Sequence, residues 1–175
     1  MSRVFVTVGM APQPFDRLIL AVRGIVGKHD VFAQVGTSSI DPGCPHARYI
    51  AYWEVLDLIE AADVVVTHAG NTVRLVQRIG KVPIAIPRQA SRDEMSNDHQ
   101  TDYLRQEEVS GRVVALWNEA DLRLAVERHP EVERSLLAER PPPNTPDPTR
   151  IRETMNALAN RLVMNTNSRL IRFPT

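Results

Sequence analysis

One stretch of this chain admits few folds. Between Asp63 and Gln100, an apolar run Val64-Val65-Val66 gives way to His68-Ala69-Gly70-Asn71, and a helical pattern starts at Thr72. Three β-branched residues bounded by Asp63 and Thr67 predict a strand buried on both faces. The segment His68 to Asn71 is short and carries glycine, which predicts a tight turn. Val73, Val76 and Ile79 then share one face of a helix that Gly80 closes. Val82 to Ile86 is a second apolar strand ended by Pro87, and after a loop Asn97-Asp98-His99-Gln100 caps another helix. Strand, glycine turn, helix, strand is a βαβ unit. The N–H groups at such a helix start have no partner in the helix and can hold a phosphate.

The remainder repeats the alternation. Arg3 to Val8 predicts a strand, and Gly9 to Pro14 a loop, because its glycine and prolines break periodicity. Phe15, Leu18, Ile19, Val22, Ile25 and Val26 form a helical stripe reaching about Lys28. Val31 to Val35 is a second strand, Gly36 to His46 a loop, Arg48 to Trp53 a short third strand, and Glu54 to Ala62 a helix. Beyond Gln100 the helix continues to about Glu108, Arg112 to Leu116 is the last strand, and Asn118 caps a helix through Val126. The fold class expected is α/β: a doubly wound, Rossmann-like, mainly parallel sheet with helices on both faces. Residues 1–139 form the domain, 140–149 a proline-rich connector, 150–163 a final helix and 164–175 a loose tail.

Bulk properties narrow the function. Twenty-one basic residues balance 21 acidic ones in 175 residues, so no global field recruits nucleic acid. The single cysteine, Cys44, excludes an intramolecular disulfide, and with His46 it supplies too few ligands for a metal site. The first apolar run, Val4 to Val8, is too short for a signal peptide, and no stretch approaches the ~20 apolar residues of a membrane span. A soluble, cytoplasmic protein is expected, reaching a membrane only through a partner.

His68-Ala69-Gly70, Gly80-Lys81, Pro87-Arg88 and Asp98-His99-Gln100, in this order and spacing, resemble the C-terminal domain of family 28 glycosyltransferases. Val4 to Gly9, Phe15 to Leu18 and Val31 to Gly36 agree, so the resemblance covers roughly residues 3 to 117. The chain looks most like the small stand-alone versions of that domain, such as the cytosolic subunit of the two-part dolichol-linked GlcNAc transferase and bacterial exopolysaccharide subunits. The resemblance implies half of a GT-B type fold, the half that binds the donor. It further implies a nucleotide-diphosphate sugar, UDP-GlcNAc or a related UDP-hexose, as donor. The acceptor implied is a lipid-linked glycan presented by a membrane-anchored subunit. No cofactor and no metal are implied.

Candidate site residues follow, each beside its plainer role. Gly70, Asn71 and Thr72 would cradle the diphosphate, although Asn71 or Thr72 also reads as an ordinary N-cap. Arg74 is a cation in the first helical turn, which opposes the helix dipole by up to about 1 kcal/mol unless an anion is bound. It also reads as a solvated arginine. His68, at the carboxyl edge of the sheet, is the candidate catalytic residue, by hydrogen-bonding the donor or positioning the cleft; a buried structural histidine is the alternative. Gln100 would contact donor sugar hydroxyls by resemblance, since an amide both donates and accepts. Asp98 and His99 accompany it, with Asp98 equally serving as a cap. Arg88 and Glu94 match family positions in the preceding loop. Gly9 lets backbone approach a ligand, and Gln34 and Gly36 end the second strand beside it.

The family pattern breaks at one place. The run His68 to Leu75 is one residue shorter than usual, lacks the second glycine, and puts Leu75 where a ribose-binding glutamate is expected. Hydrogen bonds to a charged group contribute about 1.5–3 kcal/mol each, so their loss weakens donor binding by tenfold or more. Two functions therefore stand from the sequence: a transferase subunit, and a non-catalytic, degenerate binding or regulatory subunit. A sugar-nucleotide epimerase or hydrolase is a third, which a lone half-fold disfavours.

Overall fold

A computed structural model describes residues 1–139; the connector, final helix and tail expected at 140–149, 150–163 and 164–175 lie outside them. Six parallel strands form one sheet in the order β3-β2-β1-β4-β5-β6. They are β1 (Arg3–Thr7), β2 (Asp30–Gln34), β3 (His46–Ala47), β4 (Val64–His68), β5 (Ile84–Ile86) and β6 (Val114–Ala115). Five helices cover it: α1 (Asp16–Val22), α2 (Tyr52–Ala61), α3 (Asn71–Arg78), α4 (His99–Val109) and α5 (Leu122–Glu139).

Alternation along the strands sorts the core onto two faces. Val4, Val6, Val64, Val66, Ile84 and Ile86 pack with Leu18, Ile19 and Val22 of α1 and Leu122 and Val126 of α5. On the other face, Phe5 and Val65 meet Ile59 of α2 and Val76 of α3, while Ala85 meets Val73 of α3 and Leu104 of α4. Each sheet face is thus buried under helices, which is why the strands read as continuous apolar runs.

Several expected boundaries move, for identifiable reasons. The third strand is His46–Ala47 rather than 48–53, paired as Ala33↔His46 and Gln34↔Ala47. Tyr52 and Trp53 instead open α2, whose start is fixed by the Glu54 carboxylate accepting the Ala51 N–H at 3.2 Å. The first helix stops at Val22, and the rest of its stripe continues as turns that still bury Ile25. Strand β5 begins at Ile84 because Val82 is taken by α5: its N–H donates to the Glu133 carboxylate at 2.9 Å, and its carbonyl bonds His129 Nε2 at 2.6 Å. The last strand shrinks to Val114–Ala115.

Chain order runs outward from β1 in one direction and from β4 in the other. The two central strands pair as Val4↔Val64 through Thr7↔Thr67. A crevice opens between their carboxyl ends, where no crossover closes it, and ligands of open α/β sheets sit in such crevices.

Candidate functional site at the switch point

The crevice is built around one imidazole. His68 is the last residue of β4, and Gly9 follows the end of β1 beside it. A Cβ placed on Gly9 would lie 2.3 Å from His68 Nε2. A Cβ placed on Gly70 would lie 2.2 Å from His68 Cε1 and 2.5 Å from Nδ1. The ring is therefore clasped between two glycine backbones, and any side chain at either position would occupy its space. Gly9 also needs its φ of +73°, whereas Gly70 has extended backbone and is required only for room.

His68 is neutral at physiological pH. Burial, followed by the nearby Arg88 charge, pushes its pKa down to about 4. Its Nδ1 is sealed from solvent and has no hydrogen-bond partner. A buried nitrogen without a partner is uncommon in folded proteins.

Gly70 is the N-cap of α3, and no side chain caps that helix. Asn71 and Thr72 occupy its first turn, so neither is the N-cap expected from the sequence. The helix start opens into a groove of about 220 Å³ lined by Ala69, Gly70, Asn71, Arg74, His99 and Tyr103. Arg74 lies over the Tyr103 ring, 5.5 Å from its centroid. Burial raises the Tyr103 hydroxyl above its ordinary pKa, so it stays protonated. No acidic residue occupies the first turn of α3. A positive helix end, a guanidinium and unpaired N–H groups give this groove the chemistry of an anion site.

The other expected residues support the crevice from behind. Arg88 is fully buried. Its guanidinium donates to the carbonyls of Val8 at 2.9 Å, Gln13 at 2.9 Å, Pro14 at 3.2 Å and Glu94 at 3.2 Å, and stacks 4.6 Å from the Phe15 ring centroid. Burial lowers its pKa to about 10, which leaves it charged. Arg88 thus ties the Gly9 turn to the loop after β5. Glu94 is held by Arg17 through both oxygens, at 2.7 and 3.1 Å, and accepts the Gln89 N–H at 3.0 Å. Gln34 accepts from the Thr7 hydroxyl at 2.5 Å, and that hydroxyl accepts the Gly9 N–H at 3.2 Å. This relay orients the first turn from inside the sheet.

At the start of α4 the three motif residues part company. Gln100 is buried; its carbonyl oxygen accepts the Arg88 N–H at 3.1 Å and its amide nitrogen meets Met95 Sδ at 3.2 Å. Asp98 makes no side-chain cap; its carboxylate reaches back to the Ala90 N–H at 2.9 Å. His99 alone lines the groove.

Position 75 answers the break in the family pattern. Leu75 packs against the core cluster of Phe5, Ile59 and Val65, away from the groove. Its neighbour Arg74 lines the groove instead. Tyr103 is a groove residue that the sequence motifs do not mark. Its signal is nonetheless present, since it lies four residues after His99 on α4 and so on the same face.

Fold and site together define a Rossmann-like α/β domain with a groove at the uncapped start of α3, beside its topological switch point. Among solved structures, the chain is similar to the calicheamicin glycosyltransferase CalG4, at 14% identity and a TM-score of 0.61 over 91% of this chain and 44% of that one. It is also similar to the glycotransferase of kitacinnamycin, at 17% identity and a TM-score of 0.53 over 79% of this chain and 40% of that one. These likenesses give the fold: the chain matches one half of a GT-B glycosyltransferase and spans under half the length of either neighbour. No protein-family model and no curated protein matches the sequence. No helix among the described residues is long and apolar enough to cross a membrane, and no group of acidic, histidine or cysteine side chains among them could hold a metal ion.

Proposed function

We propose that this chain is the donor-binding half of a glycosyltransferase. Its ligand is a nucleotide-diphosphate sugar, UDP-GlcNAc or a related UDP-hexose. The observation that carries the reading is the groove that the uncapped start of α3 shares with Arg74, with Gly70 common to that groove and to the clasp of His68. The diphosphate sits on the first N–H groups of α3, and Arg74 and the helix dipole stabilise it as leaving group without a metal. His68, held neutral between Gly9 and Gly70, fixes the shape of the crevice floor. A second domain supplies the acceptor wall. Following the family resemblance, we place that domain on a membrane-anchored partner and take a lipid-linked glycan as acceptor, which puts the chain at the cytoplasmic face of a membrane.

A second reading is a degenerate subunit that binds partners without catalysing. It is favoured by the burial of Gln100 and Glu94, which spends their polar atoms on the protein itself. Calorimetric titration with UDP, UDP-GlcNAc and the matching GDP and TDP compounds separates the two. The transferase reading expects selective binding of one nucleotide, about five- to tenfold weaker in Arg74→Ala, the loss of roughly 1–1.4 kcal/mol. Absence of binding by folded protein to any of them would overturn it in favour of the second.

A further inference from the structure

Aromatic side chains gather on one surface that the fold leaves in water. The chain holds three tyrosines and two tryptophans. Three of these five, Tyr49, Tyr52 and Trp53, fall within five consecutive positions, and they are 54%, 61% and 69% exposed. Large aromatic rings dominate burial in cores and interfaces, so three left exposed together mark a contact surface. Tyr49 lies in the loop after β3, and Tyr52 and Trp53 open α2. None of the three lines the groove at the start of α3. This surface therefore stands apart from the nucleotide-sugar reading and does not depend on it.

The charges beside the rings show what kind of partner fits. Helix α2 buries Ile59 and packs Val55 and Leu58 against the sheet. Helical spacing puts Trp53, Asp57 and Glu60 in line on the opposite, exposed face, with Glu54 beside them. The helix carries no basic residue. Among the described residues, no ion pair joins Glu54, Asp57 or Glu60 to a cation. Two cations of neighbouring segments are engaged elsewhere. Arg48 donates to the Gly36 carbonyl at 3.2 Å, and the Lys81 ammonium donates to the carbonyls of Ile59, Glu60 and Ala62 at 2.8, 2.7 and 2.6 Å, at the end of the helix. An acidic face tipped with aromatic rings repels anionic phospholipid and nucleic acid. A two-fold contact between copies would set the same carboxylates against one another. The face fits a surface of opposite sign, in which lysine and arginine side chains surround an apolar pocket that takes the indole.

We propose that this face of α2, with Trp53 as its anchor and Asp57 and Glu60 as its charged flank, docks a protein partner that presents a basic rim around an apolar pocket. The buried ring supplies most of the affinity. The carboxylates set orientation and make association sensitive to salt.

The test uses the whole chain in the cells that encode it, with the photoreactive amino acid p-benzoylphenylalanine as the probe at position 53, where it keeps an aromatic ring. The same probe in place of Leu124, 48% exposed on α5, is the control. Irradiation is expected to join position 53 to one protein, at a peptide rich in lysine and arginine, and to give no such adduct from position 124. Asp57→Lys together with Glu60→Lys is expected to abolish the adduct while the circular dichroism of the purified variant stays unchanged, because both side chains are exposed. With the captured partner purified, Trp53→Ala is expected to weaken binding by roughly tenfold or more. Raising salt from about 0.1 M to about 1 M is expected to weaken binding of the wild type. An adduct that survives the double charge reversal would overturn the proposal, as would one formed with lipid, nucleic acid or a second copy of the chain. Folded protein that yields no adduct at position 53 would overturn it as well.

Discussion

Gly70→Ala is the sharpest probe of the clasp, because the two reasons for a glycine separate at this site. Gly70 has φ −137° and ψ −157°, a conformation open to alanine. Any penalty from the backbone is therefore absent, and the cost lies in space. The new methyl carbon would stand 2.2 Å from His68 Cε1, where carbon–carbon contacts normally relax to about 3.5–4 Å. The ring cannot retreat toward Gly9, whose own Cβ position is 2.3 Å from Nε2. Overpacking of this kind costs about 1–3 kcal/mol, and replacing glycine by alanine at an N-cap adds up to about 1 kcal/mol. Urea unfolding at constant slope should thus show a loss of about 2–4 kcal/mol. In a His68→Ala background the clash disappears and only the cap contribution remains, so the double-mutant cycle should return a coupling of about 1–3 kcal/mol. Gly27→Ala provides a comparison: its φ is +81° with nothing within 4 Å, so it suffers backbone strain alone, about 1–2 kcal/mol. Gly9→Ala suffers both effects and should cost clearly more. Additive behaviour of Gly70→Ala and His68→Ala, or equal costs at Gly9 and Gly27, would refute the clasp.

Two further outcomes follow from the same geometry. The folded pKa of His68, about 4, lies below its unfolded value of 6.5, so the unfolded chain binds more protons between these limits. Stability should therefore be complete above about pH 6.5 and fall as pH drops toward 4, by at most about 3 kcal/mol. His68→Gln should flatten that slope, and an unchanged pH profile would show that the imidazole is not buried neutral. Arg17→Ala removes the partner of a buried carboxylate: Arg17 and Glu94 side chains are 10% and 8% exposed. It should cost about 3–5 kcal/mol in chemical denaturation, with Glu94→Gln in the Arg17→Ala background restoring part of it. A loss below about 1 kcal/mol would mean that the loop before α4 is held by other contacts.

Much of the fold was legible because burial imposes period and period is visible. Val64 to Val66 and Ile84 to Ile86 could be read as strands from their apolar runs, and α3 from Val73, Val76 and Ile79. Element ends were less legible, since distant side chains set them. Val82 left its strand because Glu133 and His129, some fifty residues away, occupy its N–H and carbonyl. Tyr52 and Trp53 have strong strand propensity, yet the register of β3 against β2 ends at Ala47 and the Glu54 bond at Ala51 starts a helix there.

Site residues divide in the same way. Sequence alone located the glycine turn after β4, the helix it opens and the arginine in its first turn, because these are local consequences of residue type and spacing; that no side chain caps the helix emerged only from the structure. It also marked Gly9, His68 and the Asp98-His99-Gln100 run, without saying which of them touch. Only the tertiary structure decided that Gly9 and Gly70 grip the same imidazole, that Arg88, Glu94 and Gln100 face inward to brace the crevice, and that His99 faces out. The physical reason is that a polar side chain's role depends on what pairs with it. Those partners come from β1, β4, β5 and α4, segments that the chain order keeps apart and the parallel sheet brings to one edge.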